Sequence, residues 1–233
     1  MSIEENVIKD EVLSRSQLEK LIKSRVEQNA EPFIFEECDF AEGDFSRLDL
    51  SDSSFKRCTF MDASFYAAVL ERTSWQRCRA GSANFENARL SEAKFTACDL
   101  NNTKWRSARL AETAFDGCKL TGANFEACTG IALTFKDSLL ISAFLRNLSF
   151  RKTTIQRVDF AEADLAHCDF RDVIFEECSL RDAHMKFARF DGADLRQVDL
   201  GGLKLNDAAM FRGAVISASQ ATQLLAELGI HVM

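Results

Sequence analysis

The chain has 233 residues, 46% of them hydrophobic, with eight cysteines, a single proline and a formal net charge of −7. That length and composition suit one domain, and the negative balance argues against direct nucleic-acid binding, which needs a basic footprint. No apolar run is long enough to span a membrane, and the N-terminus lacks a signal peptide's basic start and apolar core, so a cytoplasmic protein is expected.

Residues 1–32 are expected to form an N-terminal helical cap. Residues 3–28 read as helix, with Ser16-Gln-Leu-Glu19 as a capping box ahead of Leu18, Leu21, Ile22 and Val26. Pro32 then marks a change of regime, because proline inside a hydrogen-bonded ladder removes a bond.

From Phe35 to Val215 every fifth residue is large and apolar, apart from Ala80 and Gly130, over 37 consecutive positions. Neither the helical period of 3.6 nor the strand period of 2 gives this, so the chain must make short straight pieces joined at regular corners. The residue two before each large one is small in most units, as in Cys58-Thr-Phe60 and Ala83-Asn-Phe85. A pleated backbone points residues two apart the same way, so both enter a common interior. Four sides close a coil of 20 residues. The cysteines give the same figure: Cys38, Cys58, Cys78, Cys98 and Cys118 are spaced 20 apart, Cys178 continues the file, and Cys128 and Cys168 fall ten out of phase. Parallel side chains in such a file suit a disulfide badly, so reduced core thiols are expected. Between the inward pair, eleven units carry Asp or Asn, residue types that bond nearby backbone N–H groups and hold a turn. Residues 33–217 are therefore expected to form an all-β solenoid, and residues 218–233 a short capping helix, started by Ser219 and stopped by Gly229, with a tail.

Catalytic chemistry is not evident. His167, His184 and His231 are dispersed, and no CxxC, glycine-rich phosphate loop or GxSxG motif occurs, so no enzyme, metal or cofactor is expected. Recognition along the rod remains. Sorted by wall, charge is uneven: one wall nets −5 and carries Asp39, Glu42, Asp62, Asp99, Asp159, Glu162, Asp182 and Asp199. A second irregularity lies between Gly130 and Phe150, where Leu133 and Leu148 are oversized at small positions and Ile131, Leu139, Ile141 and Phe144 occupy outward slots. Either the coil is distorted there and these side chains pack, which is the favoured reading, or they form an apolar contact patch. Outward Tyr66, Phe187 and Phe211 are further contact candidates.

Units such as Ala83-Asn-Phe-Glu-Asn87, Ala123-Asn-Phe125, Ala163-Asp-Leu165 and Ala193-Asp-Leu195 resemble the pentapeptide repeat proteins, whose motif is written A(D/N)LXX. The resemblance implies a right-handed quadrilateral β-helix. The segment Gln220–Val232 is similar to the tail of the Qnr and albicidin-resistance branch, where helix and tail form a dimer interface; Leu224, Leu225, Leu228, Ile230 and Val232 would line it here. That branch binds type II DNA topoisomerase, gyrase, and protects it from poisons such as quinolones or albicidin, with an acidic rod imitating DNA. The alternative is a non-catalytic interaction scaffold or adaptor unrelated to topoisomerase. Loops that project in several resistance members would break the five-residue register; one could hide only if its length were a multiple of five, and residues 130–150 are where it would be expected.

Overall fold

The computed structural model describes residues 7–28, 31–202, 209–226 and 229–231, and the chain winds into a four-walled parallel β-solenoid. Its first wall is a nine-stranded sheet in sequence order: β1 (Val7–Lys9), β2 (Ile34–Glu36), β3 (Ser54–Lys56), β4 (Ser74–Gln76), β5 (Lys94–Thr96), β6 (Ala114–Asp116), β7 (Thr134–Lys136), β8 (Thr154–Gln156) and β9 (Ile174–Glu176). From β2 onward, partners stand one 20-residue coil apart, as in Phe35 with Phe55 and Phe55 with Trp75. Bridges with the same offset hold the other walls: Asp39 to Thr59 on the second, Asp44 to Ser64 on the third and Asp49 to Val69 on the fourth. The second wall closes with β10 (Cys178–Ser179) against β11 (Val198–Asp199). At the usual strand spacing, nine rungs make a rod roughly 45 Å long.

Large residues from all four walls meet in one continuous core. Phe35, Phe55, Trp75, Phe95, Phe115 and Phe135 form one column of aromatic rings on the first wall, most pairs face to face. Phe45, Phe65, Phe85, Trp105 and Phe125 form another on the third. Each stacked pair adds about 0.5–1.5 kcal/mol beyond area burial. Both indoles need a polar partner, and the same device supplies it twice. Trp75 Nε1 donates to Thr73 Oγ1 at 3.0 Å and Trp105 Nε1 to Thr103 Oγ1 at 2.7 Å, while each threonine hydroxyl donates to the carbonyl three residues earlier. A threonine at the small inward position thus lets tryptophan fill a phenylalanine site.

Corners are built alike. The second corner residue lies in the left-handed region at every unit from Glu37 to Gly192, although most are not glycine. Left-handed geometry costs an ordinary residue about 1–2 kcal/mol, which ladder bonds and turn bonds must offset. In all eleven units with Asp or Asn between the inward pair, its side-chain oxygen accepts from the backbone N–H two residues on, as from Asp39 to Ala41 and Asn84 to Glu86.

The N-terminal expectation needs correction. Residues 3–28 are not one helix: Val7–Lys9 is a strand pairing with Ile34–Glu36, and α1 spans Arg15–Gln28. Nor is Ser16–Glu19 the cap. Ser14 N–H donates to Gln17 Oε1 at 2.8 Å, Gln17 N–H donates back to Ser14 Oγ at 3.4 Å, and Glu19 instead pairs with Arg15. The second helix, α2 (Ala218–Ala226), likewise starts from Ser217, not Ser219, through the same reciprocal bonds with Gln220. Gly229 does stop it, at φ +72°, with its N–H on the Ala226 carbonyl and that of Ile230 on the Leu225 carbonyl.

The five-residue register also slips once. Asp194 bridges Val215, 21 residues away, so Val215 takes the outward position and Ala214 and Ile216 turn inward. Phe211, expected outside, stacks on Phe190 at 4.7 Å. The register is still in phase at Asp199, which pairs with Ser179. Elsewhere the winding is continuous; residues 130–150 hold no projecting loop, but their ladder is interrupted. The pairing of β7 with β8 shrinks to Lys136 with Gln156, and on the fourth wall the bridges run Arg109 to Thr129, then resume at Ser149 to Asp169.

Candidate protein-interaction surfaces

The coils leave walls, ends and, among the described residues, half-open hollows, one of about 450 Å³ beside Met185, Phe187 and Met210. Among the described residues, no group of three or more His, Cys, Asp or Glu could hold a metal ion, and no helix is long and apolar enough to cross a membrane. All eight cysteines are free thiols. Burial pushes those of Cys128 and Cys168 up to about 12, and each donates to a backbone carbonyl, Trp105 and Leu145 respectively. Such thiols are packing groups, not nucleophiles.

The second wall carries every residue of the predicted acidic face, but the eight carboxylates are of two kinds. Asp39, Asp99, Asp159 and Asp199 bond their own turns, and Asp199 is further paired with Arg181 at 2.8 Å. Glu42, Asp62, Glu162 and Asp182 stand at left-handed corner positions, exposed, with no turn to hold. Placing charge by coil corrects the picture of one acidic stripe. Asp39, Glu42 and Asp62 lie at the N-terminal end, and Asp159, Glu162, Asp182 and Asp199 with Arg181 at the C-terminal end. The coils between carry Arg79 and Lys119 against Asp99 alone. Two acidic ends flank a slightly basic middle.

The structure divides the apolar candidates too. Leu139 bridges Lys119 and Asp159 on the second wall, Phe144 bridges Asn124 and Asp164 on the third, and Ile141 lies at the corner between them. Ile131 stands at the diagonally opposite corner. The favoured expectation is met in the distortion of the ladder but not in the packing: Ile141 is half-buried, while Ile131 is 84% exposed, Phe144 48% and Leu139 41%. Phe144 borders an open hollow of about 290 Å³ with Asn124, Glu126, Arg146 and Asp164. Tyr66 and Phe187 are exposed, and the Phe187 ring lies tilted against His167 with centroids 5.0 Å apart.

At the C-terminal end, Leu224 packs partly against the core, Leu225 is half-buried and Ile230 is 47% exposed; Leu228 and Val232 lie outside the described residues. Sequence reasoning missed the groups that close the two ends. Arg15 donates to the carbonyls of Asp44 and Ser46, Arg25 to that of Ser51, and buried Gln220 donates through Nε2 to the carbonyls of Leu195 and Val198 at 2.8 and 2.7 Å. The Ser-x-x-Gln strings at Ser14 and Ser217 were the available signal.

Models of the pentapeptide repeat region match residues 32–105 and 48–125, and a model of eight pentapeptide repeats matches 159–197, together more than half the chain. The stretch between holds Gly130, Leu133 and Leu148. No curated protein sequence matches. Among solved structures, a trypsin-treated variant of QnrB1, a plasmid-mediated fluoroquinolone resistance protein, is similar at a TM-score of 0.77 and 20% identity, covering 86% of this chain and 99% of that one. Full-length QnrB1 is similar at 0.64 and 20% identity, covering 96% of this chain and 97% of its own. With a four-walled coil of 20 residues, a corner every fifth residue and these matches on both halves, the chain belongs to the pentapeptide repeat proteins.

Proposed function

We propose that this protein binds a type II DNA topoisomerase, gyrase, in the cytoplasm and protects it from poisons such as quinolones or albicidin. The observation that carries the reading is the extent of the likeness to full-length QnrB1, which runs over nearly all of both chains rather than over the repeats alone. Rods without a deep pocket work through surface recognition, and this one offers carboxylates at both ends. Duplex DNA of the same length would carry roughly 26 phosphate charges, against the −5 of this wall. Mimicry in this reading is partial: two acidic ends meet separate basic sites on the enzyme. Two copies join through their C-terminal ends, where Leu225 and Ile230 remain available.

A supercoiling assay with purified gyrase, titrated with this protein with and without ciprofloxacin or albicidin, tests the reading. Restored supercoiling supports it. Absence of rescue, inhibition and binding at micromolar protein would leave an interaction scaffold. Within an active protein, reversing Asp62, Glu162 and Asp182 to Lys, none of which holds a turn, should weaken the effect at least tenfold with an unchanged circular dichroism spectrum. Leu225→Asp with Ile230→Asp should give a monomer by sedimentation; a persisting dimer would move the interface elsewhere.

A further inference from the structure

Gly130 sits where the core changes its plan. Up to that point the third wall carries aromatic rings, ending at Phe125, and the fourth carries Leu50, Leu70, Leu90 and Leu110. Beyond it the third wall carries Leu145, Leu165 and Met185, while Phe150, Phe170 and Phe190 stack on the fourth. The bulk crosses from one wall to the next, and the coil at the crossing leaves one large position empty. Its backbone is turned toward the preceding coil at ordinary ladder distances: a Cβ on Gly130 would stand 2.7 Å from the Leu110 carbonyl oxygen, while Leu110 N–H meets the Thr129 carbonyl at 2.7 Å. Leu133 and Leu148, both buried at normally small positions, bring bulk to either side of the missing side chain.

Bonded normally to the coil before it, this segment loses touch with the coil below. Regular coils close this corner with the amide of Ala93 on the Leu90 carbonyl and bond coil to coil through Arg109 to Ala88 and Ala114 to Ala93. Among the described residues, the corresponding amides of Leu133, Ser149 and Thr154 make no such bond. The interruption is confined to the corner between the fourth and first walls. On the other two walls the same junction is intact: Leu139 bridges Asp159 and Phe144 bridges Asp164, with Leu140 N–H on the Asp159 carbonyl at 2.8 Å and Leu145 N–H on that of Asp164 at 2.9 Å. One junction is therefore zipped along two adjacent walls and open at the corner diagonal to them.

We propose that this junction is a hinge. The coils before and after it are rigid segments, the intact Leu139–Phe144 corner is the pivot, and bending opens and closes the Ile131 corner. The rod can thereby follow a curved partner surface without unfolding a coil. Such a hinge follows from the ladder alone and holds whether or not the partner is gyrase.

Paired spin labels test it. Glu92→Cys with Asp172→Cys places probes four coils apart on the opening corner, and Asn102→Cys with Asp182→Cys places them four coils apart on the pivot corner, both pairs spanning the junction. The native thiols are largely buried and leave the engineered ones to react. The distance distribution of the opening-corner pair should be at least twice as broad as that of the pivot pair; equal widths would overturn the hinge. The unmodified protein gives an independent check by hydrogen exchange. Amides of Leu133, Ser149 and Thr154 should exchange at least tenfold faster than those of Ala93, Arg109 and Ala114, and matching rates would likewise overturn it.

Discussion

The two ends of the rod are closed by the same kind of helix start and by different means beyond it. At the N-terminal end, β1 pairs with the first wall, the Glu11 carbonyl accepts from Asp39 N–H on the second, Arg15 reaches two carbonyls of the third and Arg25 one of the fourth. Leu18 seals the centre at 2% exposure. At the C-terminal end a single buried amide, Gln220, covers Leu195 and Val198, and the last coil arrives one residue out of phase with Val215 half exposed. A parallel stack presents a bare strand edge at each end. The first is finished by a strand, a helix and two arginines, the second, among the described residues, by one buried amide and the packing of α2.

The contrast can be broken by substitution. Leu18→Ala should be the most damaging, at about 3 kcal/mol for a buried leucine, read as a lower urea midpoint and faster exchange of the Asp39 amide; an unchanged midpoint would mean that α1 does not seal that end. Gln220→Leu leaves two carbonyls without their donor and should cost about 2 kcal/mol, visible as faster exchange at the Leu195 and Val215 amides with the first coils untouched. Arg15→Ala and Arg25→Ala should each cost about 1 kcal/mol, because other groups still cover that end.

The smallest effect concerns Asp52. A hydrogen bond from Arg72, helped by its charge, holds the Asp52 carboxyl below the usual range. A lowered folded pKa contributes stability above the unfolded value of about 3.9 and loses it as pH falls through the folded one. Asp52→Asn should therefore lower the melting temperature slightly at pH 7 and progressively less at acid pH, as the wild-type carboxyl takes up its own proton. An equal loss at neutral and acid pH would show that the pair acts by shape and not by charge.

Most of the fold was legible because its repeat is strict. Cysteines 20 apart give the coil, and Asp or Asn between the inward pair gives the turn bond. Short and coincidental features were not legible. Val7–Lys9 is three residues long, too short for any period to register. Two overlapping strings, Ser14-Arg-Ser-Gln17 and Ser16-Gln-Leu-Glu19, both fit a capping box, and only packing chooses between them. The slip ahead of Val215 hides because Met210-Phe211 and Val215-Ile216 are apolar in either phase. Sorting charge by wall but not by coil made one stripe of two acidic ends, and nothing local distinguishes Asp99, which holds its own turn, from Glu162, which accepts from the Ser142 hydroxyl of the coil before, until the side-chain bonds are known.

Both tryptophans, Trp75 and Trp105, belong to coils ahead of the Gly130 junction, each buried and bonded to a threonine. Indole emission therefore reports on one half of the rod only. If the halves melt at different temperatures, a fluorescence curve will trace the first and pass over the second, while far-ultraviolet dichroism sums the two, and the gap between the curves measures how weakly the halves are coupled.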